Sequence, residues 1–354
     1  MTLLKKIIYF FFYILLFFVP RNLFHYLNRA LNLTIGNINK VYCSRACFSK
    51  IKIKDIIFDV YLSKNNYQAH FVYKDLIKRK KFYEASQITC LKSIYDFDKD
   101  LIFADLGSFV GYFSFYFSKF TEQKIKIFSI ESNRLHCDSI EKGLMKNNLK
   151  NIKILNAVLS DKIEELYIAD ELVIHANELK ESKKNNNYLI DDLNFLKKSN
   201  KFYKGNSVKL DSLFDIEKPN LLKIDVHGAE GKVLKGAQNL LSNNIKYIIL
   251  ELHTNEYLDR YSPGYTKIEI IKFLISNNFN CYLISNNEMS EYNKSDYDIA
   301  MRFYDYKDKL KYLKLNGQNL DETFFEREND ENFILALKNT IDIKMLKCFN
   351  NFIQ

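Results

Sequence analysis

The chain has no tryptophan, three prolines and ten glycines in 354 residues. With so few breakers its loops are not punctuated in the usual way, so two glycines four residues apart mark a deliberate turn. Paired cysteines are also lacking. Six are scattered at 43, 47, 90, 137, 281 and 348, only Cys43 and Cys47 are close, and no second Cys or His pair completes a zinc site. Reduced thiols in a cytosolic protein are expected, and no metal is assigned from them. No long basic run occurs: the net charge is +9, but lysines alternate with acids. That weakens a nucleic-acid reading, as does the absence of an N-P-P-Y-type strand end, and leaves a solubilising surface or contact with acidic glycans or an anionic membrane face. No internal repeat stands out. Disorder is excluded as the main state by 47% hydrophobic and 15% aromatic residues, and the length suffices for a full core.

The stretch around which the chain is organised is LIFADLGSFVGYFSFYF, Leu101 to Phe117. A short apolar run, a turn carrying Gly107 and Gly111, and a mostly apolar continuation predict a buried strand, a glycine loop and a helix. Open α/β sheets build their ligand crevice in this way, beyond the carboxyl ends of the strands. The spacing is not the G-x-G-x-x-G of a dinucleotide fold, and Asp105 stands two residues before the first glycine. An acid there repels a phosphate but suits the ammonium of S-adenosylmethionine, which has no phosphate. Glu131 ends the next apolar run, IKIFSIE, where a carboxylate accepts hydrogen bonds from ribose hydroxyls.

Taken in order, the chain opens with Lys5-Lys6 and thirteen uninterrupted apolar residues, Ile7 to Val19, ended by Pro20-Arg21. As a helix this run measures roughly 20 Å, short of a bilayer core of about 30 Å. No small-residue cleavage site follows. Residues 1–40 therefore read as a hydrophobic segment, membrane-associated through residues 3–19 or docked on the protein, with Leu23, Tyr26, Leu27, Ala30 and Leu31 continuing it amphipathically. Residues 32–54 read as a polar connection, 56–62 as a strand and 74–98 as a helix. Apolar runs at 101–105, 125–131, 152–158, 221–226, 247–253, 281–285 and 298–303 alternate with helical patterns at 134–148, 229–242 and 266–278. The fold class expected is α/β: a doubly wound, seven-stranded, mainly parallel sheet with a final hairpin-like pair, over residues 41–303. Residues 170–206, rich in Lys and Asn, interrupt the rhythm as a polar insertion, or as a lid in which Lys183, Lys184, Lys197, Lys198 and Tyr203 select an anionic or sugar acceptor. Residues 304–354 read as a charged, then helical tail, with Phe333, Leu337, Ile341 and Leu346 near helical spacing.

A second constellation lies at 221–253. Asp225 ends the strand LLKIDV, His227, Gly228 and Glu230 occupy the turn into a helix, and the next strand carries Glu251 and His253 to the same edge. A capping acid or a surface histidine would explain each one singly. Together they suit methyl transfer to a hydroxyl, which needs close approach and a base. His227 is the natural base by its intrinsic pKa; Asp225, Glu230 or His253 can serve instead or orient it. The same cluster could hold a divalent metal that acidifies the hydroxyl, although the sequence assigns none.

The segments DLGSFVGYFS, IESN, NAVLSD, LLKIDVHGAEGKVLKGA and ILELH resemble the FkbM family of S-adenosylmethionine-dependent methyltransferases over roughly residues 82–303. The resemblance implies a seven-stranded Rossmann-like methyltransferase sheet and O-methylation of hydroxyls on natural products and surface sugars. It implies that Asp105, Gly107, Gly111 and Glu131 bind the cofactor, that Asn156, Ala157 and Asp161 lie near its adenine, and that Asp225, His227 and Glu230 face the methyl and the acceptor. The family's loop is usually D-x-G-A-N-x-G; here Ser108 and Phe109 replace Ala and Asn, and Ser132 replaces the proline after the ribose acid. The implied activity is O-methylation of a glycan, a glycolipid precursor or a related natural product, and the hydrophobic N-terminus and basic balance place the cytoplasmic protein near the inner face of a membrane. A degenerate scaffold, motivated by Ser108-Phe109, and a nucleic-acid methyltransferase are the alternatives.

Overall fold

The computed structural model describes residues 46–63, 69, 82–169, 172–175, 203–285, 303–304, 310–317, 319–320 and 332–352. The hydrophobic segment 1–40, the lid lysines and most of 298–303 lie outside the described residues. Among the described residues no helix is long and apolar enough to cross a membrane.

In chain order the elements are β1 (Cys47–Ile53), β2 (Ile56–Leu62), β3 (Phe82–Tyr83), α1 (Ala85–Phe97), β4 (Ile102–Leu106), α2 (Tyr112–Phe120), β5 (Lys126–Glu131), α3 (Arg134–Asn147), β6 (Ile152–Asn156), β7 (Val158–Leu159), β8 (Glu165–Ala169), β9 (Leu172–His175) and β10 (Tyr203–Val208). They continue with β11 (Leu221–Ile224), α4 (Glu230–Lys235), α5 (Gln238–Asn243), β12 (Tyr247–Leu252), α6 (Asn255–Tyr261), α7 (Lys267–Ser276), β13 (Phe279–Ser285), β14 (Phe303–Tyr304), β15 (Leu310–Leu315), β16 (Asn332–Lys338) and β17 (Phe349–Phe352).

The main sheet is mixed and has nine strands, in the order β17-β15-β13-β16-β12-β11-β4-β5-β6. From β12 to β6 the neighbours are parallel; β16 runs antiparallel to both β12 and β13. Alternate residues supply two apolar layers. Phe103, Ile127 and Ile249 face α1, α2 and α3, whereas Ala104, Phe128 and Ile248 face α4, α5 and α7. Helices therefore cover both faces, as the alternating pattern requires.

Four expectations are corrected. The sheet has nine strands where seven were expected, because β15 and β17 extend its edge. The strand that closes the seven-strand core is Asn332–Lys338; of the expected final strand 298–303 only Phe303 is described, and Phe303–Tyr304 pairs with β3, outside this sheet. Among its described residues, the tail expected to be helical is thus largely sheet. NFILALK has a spacing that also fits a helix, but its short apolar core is buried on both faces, as an inserted central strand demands. Finally, the polar connection 32–54 ends in β1. Its lysines alternate with Ser49, Ile51 and Ile53, so one face of the hairpin with β2 is buried and the other solvated.

α2 is apolar almost all round because it lies between the sheet and the β1–β2 hairpin: Phe58 meets Tyr112 at 5.7 Å and Phe115 at 6.4 Å. Asn147 fastens that hairpin to α3, its amide donating to the Asp59 carbonyl at 2.7 Å and its oxygen accepting from the Asp59 N–H at 2.8 Å. Asn147→Ala strands both backbone groups and should lower unfolding stability by about 2 kcal/mol, read by urea titration.

Candidate active site

The glycine loop is stitched to its neighbours by backbone. Gly107 and Ser108 N–H groups donate to the Ile130 carbonyl at 2.9 and 3.2 Å, and the Asp225 N–H donates to Leu106 at 3.0 Å. Gly107 has φ +81°, and a Cβ on it would lie 1.8 Å from the Asp225 carbonyl oxygen. The ends of β4 and β11 meet only because this residue has no side chain.

Phe109, at the family's asparagine position, is also left-handed, at φ 52°. An asparagine adopts that region readily and a phenylalanine does not. Two contacts secure it here: its N–H donates to Glu131 Oε2 at 2.8 Å, and its ring stands edge-on to His136 at 4.6 Å. The other Glu131 oxygen accepts from the Asn133 N–H at 2.8 Å and lies 3.5 Å from His136 Nδ1. Burial pushes the Glu131 carboxyl up, but His136 and the two backbone donors outweigh it and hold it below its usual range. Its folded pKa being lowered, the resulting stabilisation is present at neutral pH and is lost as pH falls through that value, below about 4.5. Glu131→Gln should therefore be less stable than wild type at pH 7, with the difference closing towards pH 3 in urea unfolding.

Across the crevice, β11 carries Lys223, only 1% exposed. Its ammonium lies 3.2 Å from Asp225 Oδ2 and 4.4 Å from the centre of the Phe113 ring. Burial alone would lower its pKa; Asp225, Glu84, Asp105 and Glu251 reverse that and hold it well above the usual lysine range. Asp105 is fully buried behind the loop, its Oδ2 accepting from Ser114 Oγ at 2.7 Å. Burial raises its carboxyl above the ordinary range, Lys223 and Ser114 only partly opposing. His253 and Glu230, both buried, form a tight pair with Nδ1 and Oε1 2.7 Å apart, and Gly228 N–H donates to the same oxygen at 3.0 Å. Burial disfavours the His253 imidazolium, but Glu230 above all, then Glu251 and Asp225, raise its pKa to about 10. His227 has φ 52° and a half-exposed ring, its Nε2 3.8 Å from Asp225 Oδ1.

These groups border a cavity of about 290 Å³, at the lower end of the range for small-molecule sites. Of the residues singled out by sequence, Gly107, Glu131, Ala157, Asp225 and His227 line it. Asp105, Gly111, Glu230 and His253 are buried behind this wall, and the exposed Asn156 does not line the cavity either. Asn156 is occupied with backbone, its amide donating to the carbonyls of Glu131 and Ser132 at 2.8 and 2.9 Å. Lys223, His136 and the aromatic wall of Tyr83, Tyr112, Tyr257 and Tyr261 were not singled out. The lysine was legible: a charge within the apolar strand LLKI must find buried carboxylates. The tyrosines come from three segments, β3, α2 and α6, and apart from Tyr257 and Tyr261 on α6 no spacing links them.

The description "Methyltransferase FkbM domain" matches residues 105–281, half of the chain, spanning the glycine loop, Glu131 and the Asp225–His253 cluster. No curated protein matches the sequence. Similar solved structures include methyltransferase FkbM from Methylobacillus flagellatus, 14% identical with a TM-score of 0.35, over 52% of this chain and 40% of that one. Precorrin-6y C5,15-methyltransferase from Geobacter metallireducens is 14% identical with a TM-score of 0.32, over 68% and 82%. Fibrillarin from Aeropyrum pernix, with natively bound S-adenosyl-L-methionine, is 11% identical with a TM-score of 0.31, over 67% and 66%. The chain thus spans less than half the length of the first of these.

Proposed function

The chain belongs to the FkbM methyltransferase family, and from that premise we propose that it transfers the methyl group of S-adenosylmethionine to a hydroxyl of a glycan, a glycolipid precursor or a related natural product. The observation that carries this reading is the cavity wall, which joins a carboxylate kept ionised, Glu131, to a carboxylate–imidazole corner, Asp225 and His227. Glu131 would accept hydrogen bonds from the ribose hydroxyls, and Asp225 with its acidic surroundings favours the cationic end of the cofactor over any phosphate. Gly107 lets cofactor and backbone approach closely.

When bound, S-adenosylmethionine would supply the methyl group for in-line transfer to the acceptor oxygen, its sulfur taking the carbon–sulfur electron pair so that S-adenosylhomocysteine is the by-product. The hydroxyl proton passes to the His227–Asp225 corner. The tyrosines and Phe113 on the wall offer aromatic faces to sugar rings, and the net charge of +9 suits an acidic glycan. The apolar run 7–19 would hold the enzyme near the inner membrane face, where lipid-linked precursors are built.

Calorimetric titration of S-adenosylmethionine into the full chain tests the cofactor half. Micromolar binding, weakened at least tenfold in Glu131→Gln, is expected. A folded wild type that binds none overturns the enzyme reading in favour of a scaffold. Labelled methyl appearing in polysaccharide rather than nucleic acid tests the acceptor half.

A further inference from the structure

The corner formed by Asp225, His227 and His253 has a property that methyl transfer alone does not require. His253 Nε2 lies 3.9 Å and His227 Nε2 3.8 Å from the same oxygen, Asp225 Oδ1. One donor atom from each of the three residues lies within 4.8 Å of the others. We propose that these three side chains bind a first-row divalent cation whose remaining coordination positions open into the cavity.

Four features of the surroundings support this. Lys223 holds Asp225 by Oδ2, leaving Oδ1 on the side of the two imidazoles. Glu230 holds His253 by Nδ1 and is itself fixed by the Gly228 N–H, so Nε2 is directed at Asp225, and the incoming ion would displace the proton on Nε2 to solvent. A carboxylate behind a histidine is the usual arrangement for orienting a metal ligand and raising its basicity. His227 and Gly228 are both left-handed, at φ 52° and 98°, and this turn brings the His227 ring to 4.9 Å from that of His253. Lastly, His227 is half exposed, so the site has a mouth.

The geometry is near what an ion demands. Ligand atoms about 2.1 Å from one metal lie roughly 3.0–3.6 Å apart, so the two contacts to Asp225 Oδ1, at 3.8 and 3.9 Å, must shorten by less than about 1 Å. The exposed His227 side chain can supply most of that movement. Two imidazoles and one carboxylate favour a first-row transition ion over magnesium or calcium, which prefer oxygen. The neighbouring group of Glu84, Asp225 and Glu251 is no rival, since the Lys223 ammonium already serves those carboxylates. A cation at the corner would bind the acceptor hydroxyl and acidify it, so that proton loss no longer needs His227 as base. That use rests on the methyl-transfer reading; the binding does not.

The test uses cobalt(II) as probe on the full chain after chelator treatment, with no methyl donor present. One equivalent should bind, giving visible ligand-field absorption. His227→Ala, at a half-exposed position, should weaken binding at least tenfold, and Glu230→Gln should weaken it by about ten- to a hundredfold through His253. His136→Ala, on the opposite wall, should leave cobalt binding unchanged. Absence of binding in wild type, or equal binding in wild type and His227→Ala, overturns the proposal. S-adenosylmethionine binding measured on the same samples separates the two failures: cofactor bound without cobalt removes only this inference, whereas cobalt bound without cofactor removes only the methyl-transfer reading.

Discussion

Gly107→Ala should abolish cofactor binding and lower the unfolding free energy by about 2–5 kcal/mol. Two costs add at this residue. A non-glycine residue in the left-handed region loses about 1–2 kcal/mol, and φ here is +81°. The added methyl also cannot be housed, because it would stand 1.8 Å from the Asp225 carbonyl oxygen, and that atom belongs to backbone held by the Asp225 N–H bond to Leu106. Overpacking of this kind typically costs a further 1–3 kcal/mol, roughly, as the ends of β4 and β11 are forced apart. Those ends carry the loop on one side and the Asp225–His227 corner on the other, so the cavity is lost even where the fold survives. Gly264→Ala is the informative control: φ is similar, +85°, but nothing lies within 4 Å of the added carbon. It should show the backbone cost of about 1–2 kcal/mol with cofactor binding intact. Equal binding by wild type and Gly107→Ala in calorimetry would contradict the account.

Lys223→Met should cost about 3–5 kcal/mol, the usual penalty for removing one partner of a buried ion pair. Methionine keeps most of the volume and the contact with Phe113, so the loss reports charge rather than packing. The ammonium is the shared counter-charge of Asp225, Asp105, Glu84 and Glu251, and without it these carboxylates repel one another in a water-poor site. Asp225 loses the contact on Oδ2 that keeps Oδ1 turned to the imidazoles, and turnover should fall along with stability. Adding Asp225→Asn to Lys223→Met should recover part of the stability and none of the activity. Simple additivity of the two substitutions in urea titrations would show that the pair does not act as a unit.

How much of this was legible beforehand follows from the kind of signal each part sends. The strand–loop–helix at 101–117 is a local pattern: apolar run, two glycines, apolar helix. It reappears within a residue as β4, the loop and α2. The alternation of β5, α3, β6, β11 and β12 is legible for the same reason, since each element announces its own period. β16 is not. Its position between β12 and β13 depends on pairing with chain 50 to 90 residues away, and its short apolar core fits either period when read alone. β1 was hidden because its exposed lysines resemble a linker until β2 supplies a partner.

The site divides in the same way. Which acids and histidines gather at the crevice edge is determined by the sequence alone, because Asp105, Glu131, Asp225, Glu230 and His253 sit at or beside the ends of strands whose direction the alternation dictates. What each of them does was decided only by tertiary structure. Burial turned Asp105 from a candidate contact into a carboxyl behind the wall, and the Glu230 carboxylate raised the basicity of the buried His253. Lys223 became the counter-charge for carboxylates drawn from several elements. Residue type and spacing set where a group can stand, whereas its charge and partners depend on the desolvation and nearby charges that arise only when distant segments pack together.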